Sequence, residues 1–386
     1  MGPTVAEIDL AAIAHNVTLA KRLAGSATEV MAVVKADGYG HGALAVARTA
    51  LSSGATWLGV AAPEEGRLLR QAGILAPILV LGPILPDQAA TVVTAELDQC
   101  VSDVGQAEAL ASAARAVGRR ARVHLKVDTG MGRVGVQPGE LCAAAARLAA
   151  LPGLHVHALM THFAEAEAQE AAALSGALHR FDAAWRTCRG AGLEVAVRHA
   201  ANSAALLLHP EARFDLVRPG LMLYGYHPRG AADAAATGLR PALRLRSAIT
   251  QLKDLPAGAS VSYGGTFVAP RAVRIAVVPI GYADGWGRLL SNRGQALVRG
   301  RRIPMVGRVC MDMTLLDVTD CPEARVGDEV VLLGRQGAEA VGADDVAALQ
   351  GTISYEVLAR IGPRIPRRYD GAVGASALDN ALEAHL

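Results

Sequence analysis

The sequence predicts an α/β protein in two parts: an N-terminal (β/α)8 TIM-type barrel and a mostly β C-terminal domain. Three observations predict it. Between residue 29 and about residue 225, short apolar runs alternate with Ala/Arg/Leu-rich helical patterns, and eight such runs can be counted. A stretch rich in Gly, Pro and small residues, 226–242, then reads as a linker. Beyond it the apolar runs are closely spaced and alternating, and helical pattern nearly vanishes. An open doubly wound sheet is the alternative that the count alone leaves standing. With 386 residues, of which 52% are apolar, the chain is long enough for two buried cores.

Taken in order, residues 3–10 (PTVAEIDL) read as a short strand before a helix, and this strand is a candidate for joining the C-terminal domain. The eight barrel runs are 30–34, 57–62, 78–82, 97–102, 121–127, 154–160, 195–200 and 214–223, with 97–102 the weakest. The first opens the stretch MAVVKADGYGHG (31–42). There an apolar run stops at Lys35, glycines follow at 38, 40 and 42, and an Ala-rich helix begins at Ala43. These units make a barrel domain of 1–235. The domain of 236–386 has predicted strands at 243–252, 260–263, 273–280, 295–300, 303–306, 309–318 and 328–334, with a helix around 343–350. The tail after Gly371 is Ala-rich.

Bulk properties exclude several functions. A net charge of +2 and only 4% aromatic residues give no nucleic-acid footprint. The five cysteines are scattered without a Cys-x-x-Cys pair, so neither a disulfide framework nor a metal site is indicated. The first residues lack the basic and apolar regions of a signal peptide, and no run reaches membrane-spanning length, so a cytoplasmic protein is expected.

The strand ends carry the chemistry. In a barrel they share one mouth. The first gives Lys35 and Tyr39, the fifth Lys126, Asp128 and, after the turn TGMG, Arg133. The sixth gives His162, the seventh His199, Asn202 and Ser203, and the eighth Arg218 with Gly220 and Leu221 just beyond. Lys35 stands out because the chain has only four lysines against 34 arginines. A desolvated lysine can lose its proton and attack a carbonyl, which a guanidinium cannot do. Taken singly, each residue has a bland reading as a core histidine, a solvated charge or a helix cap. Their convergence suggests an anionic ligand. A phosphate cradle on the loops after the last two strands, together with a Schiff-base lysine, points to pyridoxal phosphate.

The chain resembles the alanine racemases, the barrel-type (fold type III) pyridoxal-phosphate enzymes. The resemblance runs nearly end to end through AVVKADGYGHG, HLKVDTGMGRVG, THFAEAE, ANSAA, VRPGLMLYG, VSYGGTF, IGYADGW, GRVCMDM and TISYE. It implies an isomerase that interconverts L- and D-alanine with pyridoxal 5'-phosphate, supplying D-alanine for peptidoglycan. It also implies a homodimer with shared sites. Lys35 would hold the cofactor and serve as one base; Tyr263, from the partner subunit, would be the other. Arg218 would face the pyridine nitrogen, with His199 orienting it and His162 beside the ring. Tyr39, Ser203, Tyr355 and the amides of Gly220 and Leu221 would hold the phosphate. Arg133 would bind substrate carboxylate, placed by a carbamylated Lys126. Met311 and Asp312 would reach the substrate across the dimer, and Tyr282, Arg288, Arg308 and Ile353 would line the entry. The sequence departs from the family pattern at Glu167, where Asp is usual, and at Ser354, where Asn is common.

Rival readings are weaker. A pyridoxal-phosphate decarboxylase of basic amino acids would place a carboxylate where Arg218 stands. A non-catalytic carrier would not need the residues after the linker. A nucleotide-binding loop requires Gly-x-Gly-x-x-Gly, and the spacing at 38–42 is Gly-x-Gly-x-Gly. A related racemase of broader substrate range is the closest competitor.

Overall fold

The computed structural model describes residues 2–168 and 171–371, which form two compact units. One is made of Ile13–Gly38 and Ala43–Arg229. The other is made of residues up to Ala12, Tyr39–Gly42, and the chain from Gly230 onward. The tail beyond Gly371 lies outside the described residues.

The strand β1 (Val5–Asp9) belongs to the second unit and is described with it. The eight barrel strands are β2 (Glu29–Val33), β3 (Trp57–Val60), β4 (Ile78–Val80), β5 (Asp98–Val101), β6 (Ala121–Lys126), β7 (Leu154–Met160), β8 (Val197–His199) and β9 (Leu216–Val217). They form one parallel sheet in the order β8-β7-β6-β5-β4-β3-β2-β9. The remaining seam between β8 and β9 is joined by single backbone bonds, Asp215 N–H to Arg198 O (3.1 Å) and Arg218 N–H to Ala201 O (2.8 Å). The barrel is therefore nearly closed, and the open-sheet alternative is set aside. β9 is much shorter than the apolar run 214–223, because Pro219 cannot donate to a ladder and the chain turns into a 3-10 helix over Leu221–Tyr224.

Met31, Trp57, Leu79, Cys100, Met160 and Leu216, from six different strands, pack together as the apolar part of the core. Truncation of such a residue, Leu79→Ala for example, costs about 2–5 kcal/mol. The weak run 97–102 is a true strand. It is hard to recognise because Asp98 and Gln99 are polar yet buried.

In the second unit β1 pairs antiparallel with β10 (Leu243–Ala248) and parallel with the C-terminal strand Arg367–Asp370. β11 (Gln251–Leu255) lies in a different sheet, so the expected strand 243–252 is two strands. β12 (Ser260–Val261) ends before Tyr263, because Ser262, Gly264 and Gly265 all adopt positive φ and form a turn. β12 pairs with β13 (Phe267–Val268), which the sequence reading missed. β14 (Val273–Val278), β15 (Gln295–Val298) and β16 (Arg301–Pro304) fall near their expected places. β17 spans only Thr314–Asp317, so 309–313 is loop rather than strand. β18 (Glu329–Gln336) and β19 (Glu339–Val341) follow, and β20 (Arg367–Asp370) closes the set. The expected linker contains a helix, Ala231–Thr237. Its alanines favour helix, and Gly238 ends it in the left-handed conformation. The helix Ser354–Ala359 was also missed.

Candidate active site

The site is built from the residues at the carboxyl ends of β2, β6, β7, β8 and β9. Lys35 follows β2 and opens a left-handed turn: Ala36, Asp37, Gly38 and Tyr39 have φ of 53°, 51°, 59° and 53°. Three of these four residues carry a Cβ, and each costs about 1–2 kcal/mol in this conformation. Local bonds hold the turn. Gly38 N–H donates to Val34 O (2.8 Å), Ala43 N–H to Asp37 Oδ1 (2.8 Å) and Ala36 N–H to Glu65 Oε1 (2.8 Å). Glu65 also accepts from Ala61 N–H, so it ties the end of β3 to the turn after β2. Strain held in place by its surroundings is a mark of a functional site. Two of the motif's glycines have a separate reason. A Cβ on Gly40 would fall 2.3 Å from Leu358 O, and one on Gly42 would fall 1.9 Å from the Tyr369 hydroxyl.

β6 contributes an alternating polar face, Arg122, His124 and Lys126. After it, the Asp128 carboxylate accepts the amides of Gly130 (2.9 Å), Met131 (2.9 Å) and Gly132 (3.0 Å), which shapes the turn before Arg133. Burial works against ionising Asp128, but those amides outweigh it and hold the carboxyl below its usual range. β8 ends in His199, which is fully buried. Asn202 caps the helix Ser203–Leu208 by accepting from Ala205 N–H. Ser203 Oγ accepts the amides of Gly220 (2.9 Å) and Met222 (3.3 Å), which leaves its own proton to donate. The Gly220 amide, expected to face an anion, is thus turned to Ser203.

Arg218 lies just past β9. Its guanidinium donates to His199 Nδ1 (2.8 Å), Thr161 O (2.7 Å) and Ala200 O (2.9 Å). Burial pushes it down to about 10, so it stays charged at neutral pH. Burial, then the guanidinium of Arg133, lowers the Lys35 amine. Burial also lowers Lys126, with Arg218 and Arg133 adding to the effect. His162 is pushed down to about 3 by burial and by the cations Arg218, Lys126, Arg133 and Lys35, and is neutral. Among the described residues, none of Lys35, Lys126, Arg133 or Arg218 forms a salt bridge. The structure thus brings together Lys35, Lys126, His162, His199, Ser203 and Arg218 at the carboxyl end of the barrel, with the exposed Arg133 close enough to act on Lys35, Lys126 and His162. The sequence reading missed Asp98, Glu65 and His124. A legible signal for His124 was there, in the polar residues at alternate positions of one strand.

The second unit holds the other expected residues. Tyr39 and Tyr355 have ring centroids 6.1 Å apart. The turn over Ser262–Gly265 presents Tyr263, which is 71% exposed. Tyr282 N–H and Ala283 N–H donate to Cys310 O and Met311 O, both at 3.0 Å, so the IGYADGW and GRVCMDM segments run side by side. Met311 is 53% exposed, Tyr282 and Ile353 are exposed, and Asp312 pairs with Arg364 at 2.8 Å.

A nearly closed barrel with its amines, guanidiniums and imidazoles gathered at the carboxyl ends of the strands, followed by a mostly β domain, defines a (β/α)8-barrel enzyme. Residues 8–228 match the model of the alanine racemase N-terminal domain, and 242–369 that of the alanine racemase C-terminal domain. The alanine racemase of Symbiobacterium thermophilum is 48% identical over 371 residues, covering 96% of this chain and 98% of its own. That of Desulfosudis oleivorans is 47% identical, covering 94% and 96%. The crystal structure of alanine racemase from Streptomyces lavendulae superposes with a TM-score of 0.90 at 39% identity, covering 97% and 98%. The chain belongs to the alanine racemase family, isomerases that interconvert L- and D-alanine. Among the described residues, no helix is long and apolar enough to cross a membrane.

Proposed function

We propose that the chain racemises alanine with pyridoxal 5'-phosphate held in the barrel, using two bases: Lys35 and Tyr263 of the partner subunit. The observation that carries this reading is the Lys35 amine, set on a strained turn among cations that form no salt bridge among the described residues. The donor set fits such a cofactor: an amine for its aldehyde, a hydroxyl proton and amides for its phosphate, and guanidiniums for its other oxygens and for a carboxylate. When bound, the cofactor fixes the substrate's amino group and accepts the electrons of the broken C–H bond.

The chain's residues do the rest. With its proton affinity lowered first by burial, Lys35 Nζ takes or returns the α proton on the D-face. The hydroxyl of Tyr263 of the partner subunit does the same on the opposite face. Arg218 would offer an N–H to the cofactor's ring nitrogen, and since a guanidinium does not give up that proton, the group would supply only a weak electron sink there, which would favour quick return of the proton. His199 orients Arg218, and neutral His162 would lie beside the cofactor's ring. The Ser203 hydroxyl and the Leu221 amide take the phosphate, with Gly220 steadying Ser203. Tyr39 and Tyr355 add phenols, and burial pushes Tyr39 up to about 12, which keeps it a donor.

Arg133 takes the cofactor's phenolic oxygen and the substrate carboxylate. A carbamate on Lys126 would give Arg133 an anion to pair with, and the lowered amine there suits that modification. Met311 of the partner subunit gives its amide to the carboxylate, with Asp312 beside it. Tyr282, Arg288, Arg308, Ile353 and Glu167 guard the entry. In this reading the barrel of 1–235 carries the cofactor and 236–386 supplies the second base. The enzyme is a cytoplasmic homodimer that makes D-alanine for the cell wall. Exposure of Tyr263 and Met311 supports that division.

The test is deuterium exchange at the α carbon of alanine by the holoenzyme in heavy water, with serine and lysine run alongside. Both alanine enantiomers should exchange, faster than the other two amino acids. Exchange of one enantiomer alone contradicts the two-base reading.

A further inference from the structure

We propose that Asp98, at the amino end of β5 on the far side of the barrel core from Lys35, is a positioning residue for Arg218, acting through His124 and His199. The proposal rests on the reading of Arg218 given above. The four side chains form a continuous line. Arg218 Nη1 lies 2.8 Å from His199 Nδ1, His199 Nε2 lies 2.8 Å from His124 Nδ1, and His124 Nε2 lies 3.2 Å from Asp98 Oδ2. Arg122 closes the far end by donating from Nε (3.1 Å) and Nη2 (2.9 Å) to the same Asp98 oxygen.

The ends of this line dictate its direction. A guanidinium can only donate, so His199 Nδ1 must accept and its proton must sit on Nε2. His199 Nε2–H then donates to His124 Nδ1, which fixes the second proton on His124 Nε2. That proton is donated to a carboxylate, which can only accept. One arrangement of protons satisfies all three contacts, and it requires both imidazoles to be neutral. Burial lowers the proton affinity of both, and for His199 the charge of Arg218 adds to this. Trp57 and His157 wall His124 at 5.4 and 5.5 Å, and Arg122 lies over the Trp57 ring at 5.2 Å. His124 and His199 are fully buried and Asp98 nearly so, so no water competes for these contacts.

The consequence falls on Arg218. Three of its five N–H groups are spent on His199, Thr161 and Ala200, leaving two for a ligand. Were the His199 proton to move to Nδ1, it would oppose the Nη1 donor and turn the guanidinium. Asp98 prevents this from the other end of the barrel, much as outer partners fix the tautomer of a metal-binding histidine.

The experiment uses the holoenzyme. Nitrogen-15 spectra of labelled histidine should show His124 and His199 neutral with the proton on Nε2; a proton on Nδ1 of either overturns the proposal with no variant needed. Asp98→Leu removes the acceptor. It should return Nδ1 protonation at His199 and lower kcat roughly tenfold with little change in KM. Asp98→Asn should largely restore both, because Arg122 will hold the amide oxygen in the place of Oδ2. Unaltered histidine spectra and kcat in Asp98→Leu overturn the proposal. If the spectra change but kcat does not, Arg218→Ala decides. A lower kcat there sinks the role of Asp98, whereas an unchanged kcat sinks the reading of Arg218 itself.

Discussion

In the β domain Arg244 reaches Glu7 at 2.8 Å and Glu329 at 2.5 Å, Arg246 binds Glu7, Arg299 meets Asp328 at 2.6 Å, and Arg302 meets Glu339 at 2.7 Å. In the barrel mouth Arg133 lowers the proton affinity of Lys35, and Arg218 and Arg133 lower that of Lys126. Among the described residues no carboxylate forms a salt bridge with these four cations, although Glu65 and Asp128 act on the two lysines from farther off. The contrast separates cations that serve the fold from cations that serve a ligand. Lys126 and Arg218 are buried, and buried charge without a partner is costly, so a protein keeps it where something it binds completes the pairing.

The largest break in that contrast is Lys35→Ala. It should lower racemisation by about 10³-fold or more and abolish the bound chromophore, read by absorbance; a chromophore that persists contradicts the assignment. Next is Tyr263→Phe, which should slow proton exchange by about 10²–10³-fold mainly from L-alanine, measured in heavy water; equal loss from both enantiomers counts against two faces.

A third expectation concerns pH. His199, His124, His157 (about 4) and His162 (about 3) all have proton affinities lowered by burial in the folded chain. Their unfolded forms titrate near 6.5, so between there and the folded values the unfolded state binds more protons. The stability of the cofactor-free chain should be fully present above about pH 6.5 and should fall as pH drops below it. Denaturant midpoints at pH 7, 6 and 5 check this, and a flat profile refutes it.

With carbon dioxide excluded, so that Lys126 carries no carbamate, Lys126→Met removes a cation that makes no salt bridge among the described residues. It should raise the stability of the cofactor-free chain by about 1 kcal/mol while weakening activity. The smallest effect is Arg244→Ala in the β domain, which should cost about 1 kcal/mol of stability and leave kcat alone. If these two variants moved stability in the same direction, the distinction between the regions would fail.

Much of this was legible in the sequence. The eight barrel runs and the residues at their ends could be read because period and turn chemistry are local. The turn at Lys35 was legible as a turn, but not as a left-handed one: Ala36, Asp37 and Tyr39 carry no mark of positive φ, and Glu65, which braces it, comes from the next unit of the barrel. Strand β5 was faint because two of its four residues, Asp98 and Gln99, are polar yet buried. Asp98 and His124 make sense only when Arg218 and His199 are seen to need them, and that need is tertiary. In the β domain, splitting 243–252 and ending β12 at Val261 depend on sheet assignment and on the left-handed Ser262, which hydrophobic alternation does not encode.

The most direct measurement is reduction of the purified protein with borohydride followed by peptide mass spectrometry. The chain offers four lysines, at 21, 35, 126 and 253. A phosphopyridoxyl group on Lys35 and on no other is the expected result. The same group on Lys126, or no modified lysine in an active preparation, would contradict the assignment of the barrel-mouth amine as the cofactor's anchor.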